Sequence, residues 1–100
     1  MKHSDTLLFN KDNILWMTNL YVNLMAVRNA EERLNYLLKT KGKVYLNEAY
    51  NSLGFPATKT GRMLGWTIEK STLINFTVIR SDNTLDPDLI ITFENLTELC

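Results

Sequence analysis

The chain has almost none of the residues that most chemistry requires. It holds one cysteine, Cys100, and one histidine, His3, each close to an end. A single thiol makes no intramolecular disulfide, and one thiol with one distant imidazole builds neither a nucleophile–base pair nor a metal cluster. No catalytic residue and no metal ligand is therefore expected, and no cofactor is implied. The net charge is +0, so no bulk field draws the chain to nucleic acid or membrane. No window reaches the ~18 apolar residues of a spanning helix. The first ten residues, MKHSDTLLFN, carry too short an apolar run and no small-residue cleavage site for a signal peptide. No repeat and no low-complexity tract is visible.

Glycine and proline are also scarce, at four and two residues. None falls before Gly42. Their absence leaves the first forty residues free to form helix. Residues 1–11 read as mobile or loosely docked. Asp12 or Asn13 can cap a helix starting at Ile14. Ile14, Met17, Leu20, Tyr21, Leu24 and Met25 recur at three- and four-residue spacing, and Trp16 and Val27 widen the face. The stripe loses phase at Arg28, Glu31, Glu32 and Asn35. Asn29 and Glu32 have capping-box spacing, so a break near Asn29 competes with one continuous helix. The good helix formers just beyond favour continuity. Lys39 and Lys41 suit the helix C-terminus, and Gly42 stops it.

From Lys43 onward the chain is dense in punctuation. Residues 43–45 read as extended. Asn47 is placed to cap a short helix over about 47–53, ended by Gly54 and Pro56. Residues 57–61 read as a loop. Three segments then alternate with period two, over about 63–69, 73–80 and 88–95. The short connection at Lys70–Thr72 suits a hairpin. The longer one, Ser81 to Pro87, is polar and should be exposed. Helices first and a three-stranded antiparallel meander after define an α+β chain, expected to be a single domain over 1–100.

The segment Tyr45-Leu46-Asn47-Glu48-Ala49-Tyr50, then Leu53-Gly54-Phe55-Pro56-Ala57-Thr58, then Gly61-Arg62-Met63-Leu64-Gly65-Trp66, resembles the C-terminal part of an uncharacterised family. Phages and prophages of low-GC Gram-positive bacteria encode its members. The resemblance covers roughly the last half of the chain. It implies a mobile-element origin, and it brings no activity. Relatives of that kind carry apolar, membrane-like N-terminal segments, whereas this N-terminal half is helical without them. No membrane role is therefore expected.

Two surfaces remain as candidates. The broad stripe of Trp16, Met17, Leu20, Tyr21 and Leu24 exceeds what a small meander covers, which points to association with a second copy or another protein. From Arg33 to Arg62 there are six cations and one anion, a balance of +5. Lys39, Lys41, Lys43, Lys59 and Arg62 are thus candidates for anion or nucleic-acid contact. From Ser81 to the end there are five anions and no cation, so the acidic end can equally pair with the basic middle of a neighbouring copy. The run Asp82-x-Thr84-x-Asp86-x-Asp88 has alternating oxygens. Pro87 replaces the glycine of a calcium loop and Phe93 its closing glutamate, so a solvated loop is the better reading. The leading expectation is a non-enzymatic phage or prophage protein, cytoplasmic or virion-associated. It would act through protein–protein contacts as a homo-oligomer built on its N-terminal helix. The alternative is a nucleic-acid-binding regulator using the basic 33–62 segment.

Overall fold

A computed structural model describes residues 3–70 and 73–99. Ser71 and Thr72 of the expected hairpin connection, and Cys100, lie outside the described residues. In chain order the elements are β1 (His3–Phe9), α1 (Leu20–Lys41), β2 (Lys43–Tyr45), α2 (Leu46–Ser52), α3 (Lys59–Met63), β3 (Leu64–Thr67), β4 (Phe76–Arg80) and β5 (Leu89–Glu98). The architecture is α+β, with an antiparallel sheet of five strands where the alternation indicated three.

β5 organises the sheet. Along one edge it pairs with β1, from Leu89↔Phe9 to Phe93↔Asp5 and on to Leu96↔His3. It also pairs with β4 over Leu89 to Phe93, and its end pairs with β3 at Thr97 and Glu98. The register slips by one residue between Asp5 and His3. Asn95 takes up the extra residue at φ 60°, in the left-handed region that asparagine tolerates. The buried positions move accordingly, from Leu89, Ile91 and Phe93 to Leu96. The Trp66 indole donates to the Glu94 carbonyl beside the bulge at 2.9 Å.

Two sequence expectations change here. Of the residues read as a mobile or loosely docked 1–11 tail, His3–Phe9 forms an edge strand and Phe9 is buried in the core, while the first two lie outside the described residues. The meander is also replaced. β3 lies between β2 and β5 and does not pair with β4. The chain leaves β3 and reaches α1 first. There Asn35 accepts from the Ile74 N–H at 2.6 Å and donates to its carbonyl at 2.8 Å, and Glu31 accepts from the Phe76 N–H at 2.6 Å. The polar residues at which the helical stripe loses phase thus satisfy the backbone leading into β4.

The helix α1 is continuous through Asn29, but it begins six residues later than Ile14. Asn19 is its cap, accepting from the Val22 N–H at 3.2 Å. Gly42, at φ 81°, closes it with an N–H bond to Leu38. Its core face is Asn23, Val27, Ala30, Leu34 and Leu38, a row rotated away from the stripe of Ile14 to Met25. This row packs with Leu46, Ala49, Leu53, Trp66, Phe76 and Phe93 in one apolar cluster. Among the described residues no helix is long and apolar enough to cross a membrane.

Candidate functional site

The first surface surrounds the start of α1. The loop before it is pinned by two buried asparagines. Asn13 donates to the Leu53 carbonyl at 2.8 Å and accepts from the Leu15 N–H at 2.8 Å. Asn23 is 0% exposed, and its amide bonds both backbone groups of Met17, each at 2.8 Å. Every polar atom that these side chains bring inside is matched by a backbone group that would otherwise be stranded. Their hold keeps residues 14–18 out of the helix and folds them against it.

The five predicted association residues then divide. Trp16, Leu20 and Leu24 are partly buried against the core. Met17 is 56% exposed and Tyr21 71%. Ile14, at 88%, Val22 and Met25 are exposed as well, and periodicity assigns Ile14 and Met25 to the helix stripe. Tyr21 and Met25 are one turn apart on the side of α1 opposite the Val27 and Leu34 row.

The second surface is a groove of about 680 Å³ lined by Tyr45, Asn47, Glu48, Lys59, Arg62 and Met63. Its walls come from the punctuated Tyr45–Trp66 segment. Glu48 accepts from the Tyr45 N–H at 2.8 Å, which closes the start of α2, and pairs with Lys41 at 3.3 Å. The cap of α2 is therefore Tyr45 with Glu48, and Asn47 does something else. Its amide makes a two-way bond with the Thr58 backbone, at 3.0 Å in each direction. Thr58 then caps α3, where a plain loop was expected, by accepting from the Gly61 N–H at 2.9 Å. A Cβ on Gly61 would overlap the Asn47 side chain, so the glycine is what lets α3 close onto α2.

Of the five predicted anion contacts, Lys59 and Arg62 line the groove. Lys43 lies over the Tyr45 ring, 5.6 Å from its centre, and Lys41 reaches the groove through Glu48. Lys39 is exposed in the last turn of α1 and is not part of the lining. Tyr45, Asn47 and Met63 were missed as lining residues. The signal for them was the pairing of Asn47 with a glycine-bearing turn fourteen residues on, a long-range contact that local spacing does not reveal. The groove sets cations around an aromatic ring and a thioether.

Tyr50, in the same motif, is absorbed by the fold. Its hydroxyl donates to the Asp5 carboxylate on β1, and its ring packs on Phe93. Burial, reinforced by the Asp5 carboxylate, pushes the Tyr50 pKa above the usual tyrosine range. A folded pKa above the unfolded one gives stability that is complete below about pH 10 and lost as pH rises beyond it. The denaturation midpoint of the protein should therefore fall more steeply above pH 10 than that of Tyr50→Phe. Parallel curves for the two proteins would contradict this.

The chain belongs to a family of unknown function, DUF6353, whose model matches residues 1–97. That span takes in β1 and α1 as well as the Tyr45–Trp66 motif. No curated protein and no solved structure matches the chain.

Proposed function

For a member of a family that brings no activity with it, we propose a non-enzymatic role in protein–protein contacts, with self-association through the exposed face of α1 that runs from Tyr21 to Tyr36. The observation that carries this is the exposed apolar group of Ile14, Met17, Tyr21, Val22 and Met25. Several large apolar side chains exposed within one short stretch of chain, residues 14–25, mark an association surface more often than scattered ones do. A second copy is the occupant because the face is self-complementary. Beyond Met25 it continues through Arg28 and Glu32 to the exposed Tyr36. Two helices packed antiparallel set Tyr36 of each against Met25 of the other and bring Glu32 of each near the Arg28 of the other, which also pairs with its own Glu31 at 3.1 Å. The motif supports a phage or prophage origin, with a cytoplasmic or virion-associated site of action.

Sedimentation velocity tests the association. Wild-type protein should associate through a symmetric helix-face contact, and the exposed double variant Y21E/M25E should lose that contact with an unchanged circular dichroism spectrum. A helix-face dimer that survives this double substitution would remove the proposal.

Nucleic-acid binding is the second reading, favoured by the cluster of Lys41, Lys43, Lys59 and Arg62 about Tyr45. It requires salt-dependent retardation of DNA or RNA. Absence of binding at low salt would end it.

A further inference from the structure

The loop joining β4 to β5 is built to project. Ser81 N–H bonds the Asp88 carbonyl at 2.9 Å and closes its base. Within it Asp82 accepts from the Thr84 hydroxyl at 2.6 Å and from the Thr84 N–H at 3.0 Å, and Arg80 donates to the Thr84 carbonyl at 3.1 Å. The Thr84 hydroxyl and N–H hold the Asp82 carboxyl below the usual carboxylate range. At the outer part of the loop stands Leu85, 90% exposed, next to the exposed Asp86 and three residues after Asp82, while Asp88 lies half-buried at the base. A leucine held outward among carboxylates has the form of an apolar plug with an anionic collar.

The groove has the reverse character. Tyr45 and Met63 supply an apolar floor, with Lys41, Lys43, Lys59 and Arg62 about it. Counting Glu48, those residues sum to 4 − 1 = +3. The loop, counting Arg80, sums to 1 − 3 = −2. The two cannot meet within one molecule. The loop closes at the start of β5. The groove lies at its far end, where Leu99 N–H bonds the Met63 carbonyl at 2.7 Å. The ten residues of β5 between them span about 30 Å at ~3.3 Å per residue.

We propose that the Leu85 loop of one copy docks into the Tyr45/Lys59/Met63 groove of the next, joining molecules head to tail. Leu85 fills the apolar floor, and the exposed Asp82 and Asp86 face the lysines. Opposite potentials of this kind orient the encounter and disfavour wrong partners. The contact is heterologous, so each copy keeps one open loop and one open groove, and the assembly grows until it closes into a ring or continues as a filament. It differs from the helix-face pairing, which is symmetric and uses neither element.

Sedimentation velocity with three variants separates the two contacts. In the Y21E/M25E background, which disables the helix face, concentration-dependent association should persist. Adding L85S or K59E should weaken it at least ten-fold, and it should weaken again as salt is raised. Mixing the L85S and K59E forms of that background should give a one-to-one dimer and nothing larger, because each supplies the element the other lacks. A Y21E/M25E chain that stays monomeric, or a mixture that forms no dimer, overturns the head-to-tail contact. That outcome leaves the helix face standing if L85S alone still dimerises. An L85S protein that is monomeric, beside a Y21E/M25E protein that associates, removes the helix face instead.

Discussion

Phe93→Ala is expected to cost about 3–5 kcal/mol, the range for emptying a buried aromatic site that cannot collapse. Phe93 is fully buried on β5 and is the meeting point of three other rings. Phe76 stands edge-on to it at 4.9 Å and 89°, Trp66 at 6.4 Å and 71°, and Tyr50 is tilted at 6.0 Å. Phe76↔Phe93 is also a cross-strand pair, and the Phe76 N–H is spent on Glu31 rather than on β5. The pair is thus of the non-hydrogen-bonded kind, which brings opposing side chains closest. Truncation removes the ring against which β4, β3 and α2 all pack, and none of these elements is free to move in. A chain of 100 residues has about 5–15 kcal/mol of stability in total, so the variant should lose a large fraction of it. At about 4–8 °C per kcal/mol the melting temperature should drop by at least ~12 °C. Phe93→Leu, which keeps most of the volume, should lose much less. An alanine variant melting within a few degrees of the parent would show that the four rings do not form a common core.

The same residues show what was legible in the chain. Leu89, Ile91 and Phe93 alternate cleanly, and β5, Leu89–Glu98, begins where the expected strand over about 88–95 placed it and runs three residues further. Its last residues were missed because the bulge at Asn95 shifts the phase, and a one-residue shift ends any period-two pattern. β1 was missed for a different reason. Only Leu7, Leu8 and Phe9 of its seven residues are apolar, and what makes it a strand is the edge β5 offers from over eighty residues away. In α1 the continuity and the stop at Lys39–Gly42 were legible, but the start and the buried face were not. Ile14 to Leu24 is the more apolar row, yet Asn23 sits in the core row because it serves the Met17 backbone. A buried amide that satisfies a loop looks like any other polar residue in a helical pattern. The candidate site followed the same rule. Lys59 and Arg62 were found from charge alone, which is local. Tyr45, Asn47 and Met63 needed the Asn47–Thr58 bond, which is not.

Gly65→Ala is expected to be the most damaging small change in the Tyr45–Trp66 motif, at about 3 kcal/mol, the upper end for forcing a methyl group into packed structure. Gly65 is the middle of three strands, paired with Tyr45 of β2 and with Thr97 of β5. A Cβ there would overlap the Val44 carbonyl, and would lie 2.7 Å from Leu99 Cδ1 and 2.9 Å from the Tyr45 Cα. A flexible side chain can turn away from such a clash, but Val44 O and Tyr45 Cα are backbone and cannot. The three-residue strand β2 has to separate from β3, and Tyr45, which leaves with it, is the aromatic floor of the groove. Loss of stability and loss of Leu85-loop docking should therefore appear together. Gly42→Ala gives the contrast. There the glycine is at φ 81°, and an added Cβ would meet only Ile68 Cγ2, at 3.9 Å. That variant should show only the left-handed penalty of about 1–2 kcal/mol, with docking intact. Thermal melts and sedimentation of the two variants side by side test this. Equal stability losses, or docking retained in a destabilised Gly65→Ala protein, would mean that the β2–β3 ladder does not hold the groove.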